Sequence, residues 1–242
     1  MTTSKSALVT GANKGIGREV ARRLAMAGFR VWLGARDAGR GMAAAQMLHA
    51  EGLDVRWLKI DVTQDESVAA AVKAVGAEGP CLDVLVNNAG IAIRYDLPPS
   101  QQRIADIQAT YEVNVFGPIR VTQRFLALLL EARAARIVMV SSYSGSLGRA
   151  LDPRSESYPV NMLGYGSSKT ALNAITVAFA KEFARQGVKV NAAAPGYTAT
   201  DLNGQRGRRT VQQAAEIIVR LATLDDDGPS AGYFDDDGPL PW

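Results

Sequence analysis

Short runs of hydrophobic, β-favouring residues alternate along the chain with longer stretches whose apolar positions recur at helical spacing. The runs are Ser6 to Thr10, Arg30 to Leu33, Asp54 to Ile60, Asp83 to Val86, Arg136 to Ser141, Val188 to Ala192, and a last one near Gly232 to Phe234. This alternation predicts an α/β chain: a parallel seven-stranded sheet, doubly wound, with crossover helices on both faces. Glycines stand where helices should end in a left-handed residue, Gly28 before Phe29, Gly52 before Leu53 and Gly187 before Val188. Thr63 and Glu66 have the spacing of a capping box, which predicts a helix start just after the third strand. Pro118, inside a helical stretch, predicts a bend there.

Composition narrows the function classes. With 242 residues, 47% of them hydrophobic, the chain can bury one substantial core, so residues 1–242 are expected to form a single domain. No apolar run reaches roughly 18 residues, and the stretch from Met1 to Thr10 is too brief for a signal peptide, so a soluble, cytoplasmic protein with no membrane segment is expected. Cys81 and His49 are the sole cysteine and histidine. An intramolecular disulfide, a Cys/His metal site and a serine–histidine triad are therefore excluded, and no metal is expected. The formal charge of +3 is small, and Arg206, Arg208 and Arg209 lack interleaved aromatics, which argues against a nucleic-acid partner. The runs Asp225 to Asp227 and Asp235 to Asp237 read as solvated turns.

Two clusters carry candidate chemistry. After the first strand, Thr10-Gly11-Ala12-Asn13-Lys14-Gly15-Ile16-Gly17 places glycines in a turn that opens a helix, where backbone N–H groups and the helix dipole favour phosphate. Farther on, Tyr165 and Lys169 stand at i and i+4 at the start of a pattern running through Leu172, Ile175, Phe179 and Phe183. They share a helix face, and a nearby ammonium is expected to lower the tyrosine pKa from about 10. Such a phenol gives or takes a proton at a reacting oxygen.

These motifs occur in one order across essentially the whole chain: Gly11-x-x-x-Gly15-x-Gly17, Asn87-Asn88-Ala89-Gly90, Asn114, Ser142, Tyr165-x-x-x-Lys169 and Pro195-Gly196. In this the sequence resembles the short-chain dehydrogenase/reductase family. The tail, with Asp227-Gly228-Pro229, Gly232-Tyr233-Phe234 and Pro241-Trp242, resembles its carbonyl-reductase-like branch. The resemblance implies a Rossmann-type domain and NADPH-dependent reduction of an aldehyde or ketone. Two alternatives stay open: an alcohol or hydroxysteroid dehydrogenase working oxidatively, and a dinucleotide sensor without turnover.

By the same resemblance Tyr165 is the general acid, Ser142 hydrogen-bonds the substrate oxygen, Lys169 holds the nicotinamide ribose and Asn114 anchors a relay water. Ser144 is the alternative to Ser142 in a serine-rich loop. The cofactor is expected against Gly11, Asn13, Lys14, Gly15, Ile16 and Gly17, with Asp61 and Val62 at the adenine. Asn88, Ala89 and Gly90 belong to its ribose region, and Pro195, Gly196, Thr198 and Thr200 to its nicotinamide end. The second strand ends Ala35-Arg36-Asp37, where NAD-dependent members carry an acidic residue. A cation there suits the 2′-phosphate of NADPH. Arg36 is expected to bind it with Lys14, unless Asp37 contacts the ribose instead. Ser142 and Tyr165 lie 165 − 142 = 23 positions apart, which marks an insertion at about 146–163 that favours a monomer over a homodimer. A flap at about 197–210 is expected to be small and mobile. Substrate contacts are expected from Ile93, Arg94, Tyr95, Tyr143, Met162, Tyr197 and Leu202.

Overall fold

Residues 5–242 are described by the structure, a computed structural model; the part of the N-terminal reading that rests on Met1 to Ser4 lies outside them. The strands are β1 (Ser6–Val9), β2 (Arg30–Ala35), β3 (Val55–Lys59), β4 (Val84–Asn87), β5 (Arg136–Val140), β6 (Lys189–Ala193), β7 (Tyr233–Asp235) and β8 (Gly238–Pro239). They form one sheet in the order β3-β2-β1-β4-β5-β6-β7-β8. The first seven are parallel and overlap the hydrophobic runs named above, with β2, β4, β6 and β7 continuing one or two residues past the end of theirs; β8 returns antiparallel on β7. The sheet therefore has eight strands, not seven. A two-residue strand leaves no periodic trace, and it is built by Asp235, whose Oδ1 accepts from the amides of Asp237 and Gly238 to turn the chain back.

Helices α1 (Gly15–Met26), α2 (Ala38–Ala50) and α8 (Val211–Ala222) cover one face, and α3 (Asp65–Gly76), α5 (Gly117–Leu130) and α7 (Leu163–Glu182) the other, while the short α6 (Leu147–Leu151) lies in the insertion. Ala7, Val9, Val86, Val138 and Val140 pack against Val20, Leu24, Ile217, Ile218 and Leu221. The residues between them, Leu8, Leu85, Ile137 and Met139, pack oppositely against Val68, Val121, Phe125, Leu129 and Leu172. Both faces are thus dry, which is why the strands read as continuous apolar runs. The chain order reverses between β1 and β4, and crevices outside the carboxyl ends of such neighbours are where ligands bind in this architecture.

Two local expectations are corrected. Helix α3 starts at Asp65 from Gln64, without a side-chain cap, because Thr63 is captured by Asp61, whose Oδ1 accepts from its amide and hydroxyl at 3.0 and 2.7 Å. The aspartate runs are not simply solvated: Asp226 pairs with the buried Arg136 at 3.0 Å, Asp236 pairs with Arg209, and Asp235 accepts from Tyr143. Around Pro118, α4 (Ile104–Tyr111) passes through a π-helical stretch, Glu112–Phe116, into α5, with Pro118 in the first turn of α5.

Candidate active site

The glycine turn is braced from across the sheet. Asn88 Nδ2 donates to the carbonyls of Thr10 and Gly11 at 2.9 and 3.2 Å, and Thr10 Oγ1 accepts from the amides of Asn88 and Ala89. Two glycines make this approach feasible. Gly11 has φ +63°, and a Cβ on it would come within 2.8 Å of Ala89 Cα; a Cβ on Gly17 would lie 2.4 Å from Asn88 Nδ2. Helix α1 then begins at Gly15 with no side-chain cap and no acidic residue in its first turn. Its leading amides and positive dipole end face the turn unclaimed by side chains, the arrangement that accepts a phosphate. Asn13 and Ile16 flank it half-buried.

At the end of β2 Arg36 is exposed and has no carboxylate within ion-pair distance among the described residues. Asp37 caps α2, its Oδ1 accepting from Arg40 N at 2.8 Å. Lys14 Nζ lies 2.6 Å from Asp201 Oδ2, between exposed side chains, and that contact holds the Asp201 carboxyl below its usual range. Arg40 adds to the same field. Neither Arg40 nor Asp201 stands out in the sequence; the signal for Arg40 is its position one helical turn beyond Arg36. The Asp61 side chain turns onto Thr63, and the carbonyl of Val62 accepts from Arg120 at 2.6 Å.

Tyr165 and Lys169 lie on α7, with Lys169 Nζ 5.7 Å from the Tyr165 ring centroid. Lys169 is 4% exposed and donates to the carbonyl of Val140, at the end of β5, at 2.8 Å. Burial lowers its pKa to about 8. A Cβ on Gly90 would meet this ammonium at 3.6 Å, so Lys169 borders the crevice beyond β4. The expected lowering of Tyr165 by Lys169 is not what the environment produces. Tyr165 as a whole is half-buried, but burial around its hydroxyl is the largest influence and pushes it up, with Ser142 the group that pulls it down. Ser142 is thus the serine facing Tyr165, and Ser144 serves it through its amide, which donates to Ser142 Oγ at 3.3 Å. No hydrogen bond of full geometry joins the two hydroxyls.

Asn114, fully buried in the π-helical stretch, clasps the backbone of Ile91: its Oδ1 accepts from Ile91 N and its Nδ2 donates to Ile91 O, both at 2.9 Å. Nδ2 also donates to Ser168 Oγ at 3.0 Å, which ties the segment after β4 to the helix carrying Tyr165. Asn114 therefore builds the site with its side chain. Only its carbonyl is left for a relay, and Pro118, four residues on, has no N–H to donate to it.

The flap is held at several points. Thr198 and Arg209 pair across its base, Asp201 meets Lys14, Arg206 donates to Tyr95 Oη at 2.9 Å, and Arg208 lies 3.5 Å from Glu156 of the insertion. The flap thereby reaches the glycine turn, the loop after β4 and the insertion. Pro195 is buried, Gly196 turns with φ +76°, and Thr198 donates back to their carbonyls. Thr200 lies over the glycine turn, its Cγ2 at 3.7 Å from where a Gly15 Cβ would be. Among the substrate candidates, Ile93, Arg94, Tyr95, Met162, Tyr197 and Leu202 stand on these three loops. Tyr143 points away, its hydroxyl donating to Asp235 Oδ2 at 2.9 Å, and burial followed by that bond pushes its pKa up to about 12.

Comparisons with known proteins agree with this arrangement. A family model described as short chain dehydrogenase matches residues 5–210. A short-chain dehydrogenase of Penicillium roqueforti is 36% identical over 228 residues, covering 91% of this chain and 89% of its own. Carbonyl reductase [NADPH] 3 of Mus musculus is 33% identical over 262 residues, covering 93% and 92%. Among solved structures, NADPH-bound carbonyl reductase from chicken fatty liver superposes with a TM-score of 0.87 at 27% identity, covering 99% of each chain.

Proposed function

Because the chain belongs to the short-chain dehydrogenase family, we propose that it is an NADPH-dependent carbonyl reductase that converts an aldehyde or ketone to the alcohol with Tyr165 as proton donor. The chain is an oxidoreductase of the C=O/CH–OH pair, and the NADPH named for the mouse relative and the chicken-liver structure supports that cofactor here. The residues fit it. The uncapped start of α1 and the turn Gly11 to Gly17 would take the pyrophosphate, and Arg36, Arg40 and Lys14 the 2′-phosphate. Asp61 and Val62 would border the adenine, Asn88, Ala89 and Gly90 the ribose region, and Pro195, Gly196, Thr198 and Thr200 the nicotinamide end.

When bound, the cofactor supplies a hydride for the carbonyl carbon. Tyr165 donates a proton to the oxygen as negative charge develops on it, and Ser142 hydrogen-bonds the same oxygen. The observation that carries this reading is the pairing of a phenol that burial keeps protonated with a buried ammonium on the same helix face, Ser142 standing opposite. A protonated Tyr165 is the form that gives a proton in reduction, and the same group takes one back in oxidation; the cofactor ratio sets the net direction. Lys169 holds the nicotinamide ribose while anchored to Val140, and the Asn114 carbonyl holds a water that resupplies the proton. Substrate enters between the loop bearing Ile93 and Tyr95, the insertion at Met162 and the flap at Tyr197 and Leu202. The working unit is a single chain.

The test is the loss of the reduced nicotinamide's near-ultraviolet absorbance with NADPH, and in parallel NADH, across aldehydes, ketones, quinones and ketosteroids. Turnover that Tyr165→Phe abolishes while NADPH still binds supports the reading. NADPH binding with no turnover on any carbonyl overturns it in favour of a dinucleotide sensor.

A further inference from the structure

We propose that Tyr233, with the C-terminal segment stacked behind it, is a positioning residue for Ser142, an inference that rests on the reductase reading above. Ser142 leaves β5 in extended conformation and opens the 3-10 turn Tyr143–Gly145. Its carbonyl accepts two hydrogen bonds, one from Gly145 N at 2.8 Å and one from the Tyr233 hydroxyl. With both lone pairs engaged, the peptide plane after Ser142 cannot rotate, and the direction of its Cα–Cβ bond is set with it. Among the described residues Ser142 Oγ accepts from Ser144 N alone, so its proton is left for a partner in the crevice.

The loop that Ser142 opens is gripped on two sides. Inward, it lies against α7 so closely that a Cβ on Gly145 would come within 2.8 Å of the Lys169 carbonyl carbon. Asn173 Nδ2 and Thr170 Oγ1 each donate to Gly145 O at 3.1 Å, and Ser141 Oγ donates to Asn173 Oδ1 at 2.6 Å. Outward, the whole grip comes from the end of the chain. Besides the Tyr233 bond, Tyr143 donates to Asp235, Ser146 Oγ donates to Pro241 O at 2.6 Å, and Gly148 N donates to Trp242 O at 3.0 Å. Trp242 stacks on the Tyr233 ring, with centroids 5.4 Å apart and planes at 19°.

Tyr233 is 2% exposed, and burial pushes its phenol up, so it remains a neutral donor throughout the working pH range. Its backbone pairs with Ala192 of β6, so the ring is held by the sheet independently of the hydroxyl. Tyr233→Phe therefore removes one hydrogen bond to the Ser142 carbonyl and leaves the strand and the stack in place.

The experiment is a double-mutant cycle of Tyr233→Phe with Ser142→Ala, read as kcat and as NADPH Kd. Tyr233→Phe is expected to lower kcat by roughly ten- to a hundredfold, as misplacement of a reacting group does, and to leave NADPH Kd within about twofold. In the Ser142→Ala background it should lower kcat no further. An unchanged kcat, or the same fall in both backgrounds, overturns the proposal. Should Tyr233→Phe fail to fold, a chain ending at Leu240, which lacks the stacked Trp242 and the Pro241 carbonyl, enters the same cycle with the same two readings. Absence of turnover in the unaltered chain sinks the reductase reading alone. Hydrogen exchange then decides the positioning claim: Tyr233→Phe should speed exchange of the Gly145 amide, and unchanged exchange overturns it.

Discussion

At the scale of single residues, the grouping of the candidate side chains was legible from residue type and spacing, and their electrostatics, which depend on burial, were not. Tyr165, Lys169 and Ser142 announce themselves by pattern; that burial raises Tyr165 and lowers Lys169 does not, because desolvation belongs to the folded surroundings. Tyr165→Phe should reduce turnover by about a hundred- to ten-thousandfold with NADPH affinity retained, measured by steady-state rates and by titration of cofactor fluorescence. A pH dependence follows from Lys169. Its ammonium persists below about 8 and is lost above, while Tyr165, shifted the other way, keeps its proton through that range. Reduction should therefore decline as pH rises through about 8. Lys169→Arg, which keeps its charge, should carry the decline of the residual rate to higher pH; initial rates across pH decide. Arg36→Asp should weaken NADPH by roughly ten- to a hundredfold, the worth of one charge-assisted hydrogen bond at about 1.5–3 kcal/mol, with NADH hardly affected. Equal loss for both cofactors removes Arg36 from the 2′-phosphate.

Elements were legible in proportion to their length. The seven parallel strands and their following helices lie where apolar runs and glycine stops put them, because each strand is covered on both faces and each helix on one. Short elements escaped, since two residues such as Gly238 and Pro239 carry no period, and a capping pattern at Thr63 and Glu66 yields when Asp61 offers Thr63 a nearer acceptor. The flap is the element whose contacts composition did not reveal. Its glycines suggest freedom, yet it is tied to three neighbouring segments, one tie being Lys14 to Asp201. Under the proposed cofactor site, that pair and the cofactor phosphate would compete for the same ammonium. Asp201→Asn should tighten NADPH by about two- to threefold, the gain being small because both side chains are exposed and screened, and it should vanish in high salt. Weaker NADPH binding in Asp201→Asn, measured by the same titration, would mean that the tie assists the cofactor.

For the molecule as a whole, the doubly wound architecture was legible through the alternation of runs and the succession of motifs, but the closing role of the tail was not. Asp235 and Asp236, which look like solvent-facing charges in the sequence, find Tyr143 and Arg209 inside, because the antiparallel return of β8 folds them back over the sheet edge. Sedimentation at assay concentration should give the mass of one chain, with rates proportional to enzyme concentration; a dimer that persists on dilution contradicts this. The brace on the glycine turn bears on how the protein comes into being. Asn88 reaches Thr10 and Gly11 across 78 and 77 positions of sequence, so a nascent chain that has already exposed every glycine of the turn still lacks the amide that holds it. Until β4 emerges and settles beside β1, nucleotide has nothing rigid to grip. The cofactor is therefore a late guest in biogenesis, rewarding a half-built sheet for having closed and unable to template the first strands out of the ribosome.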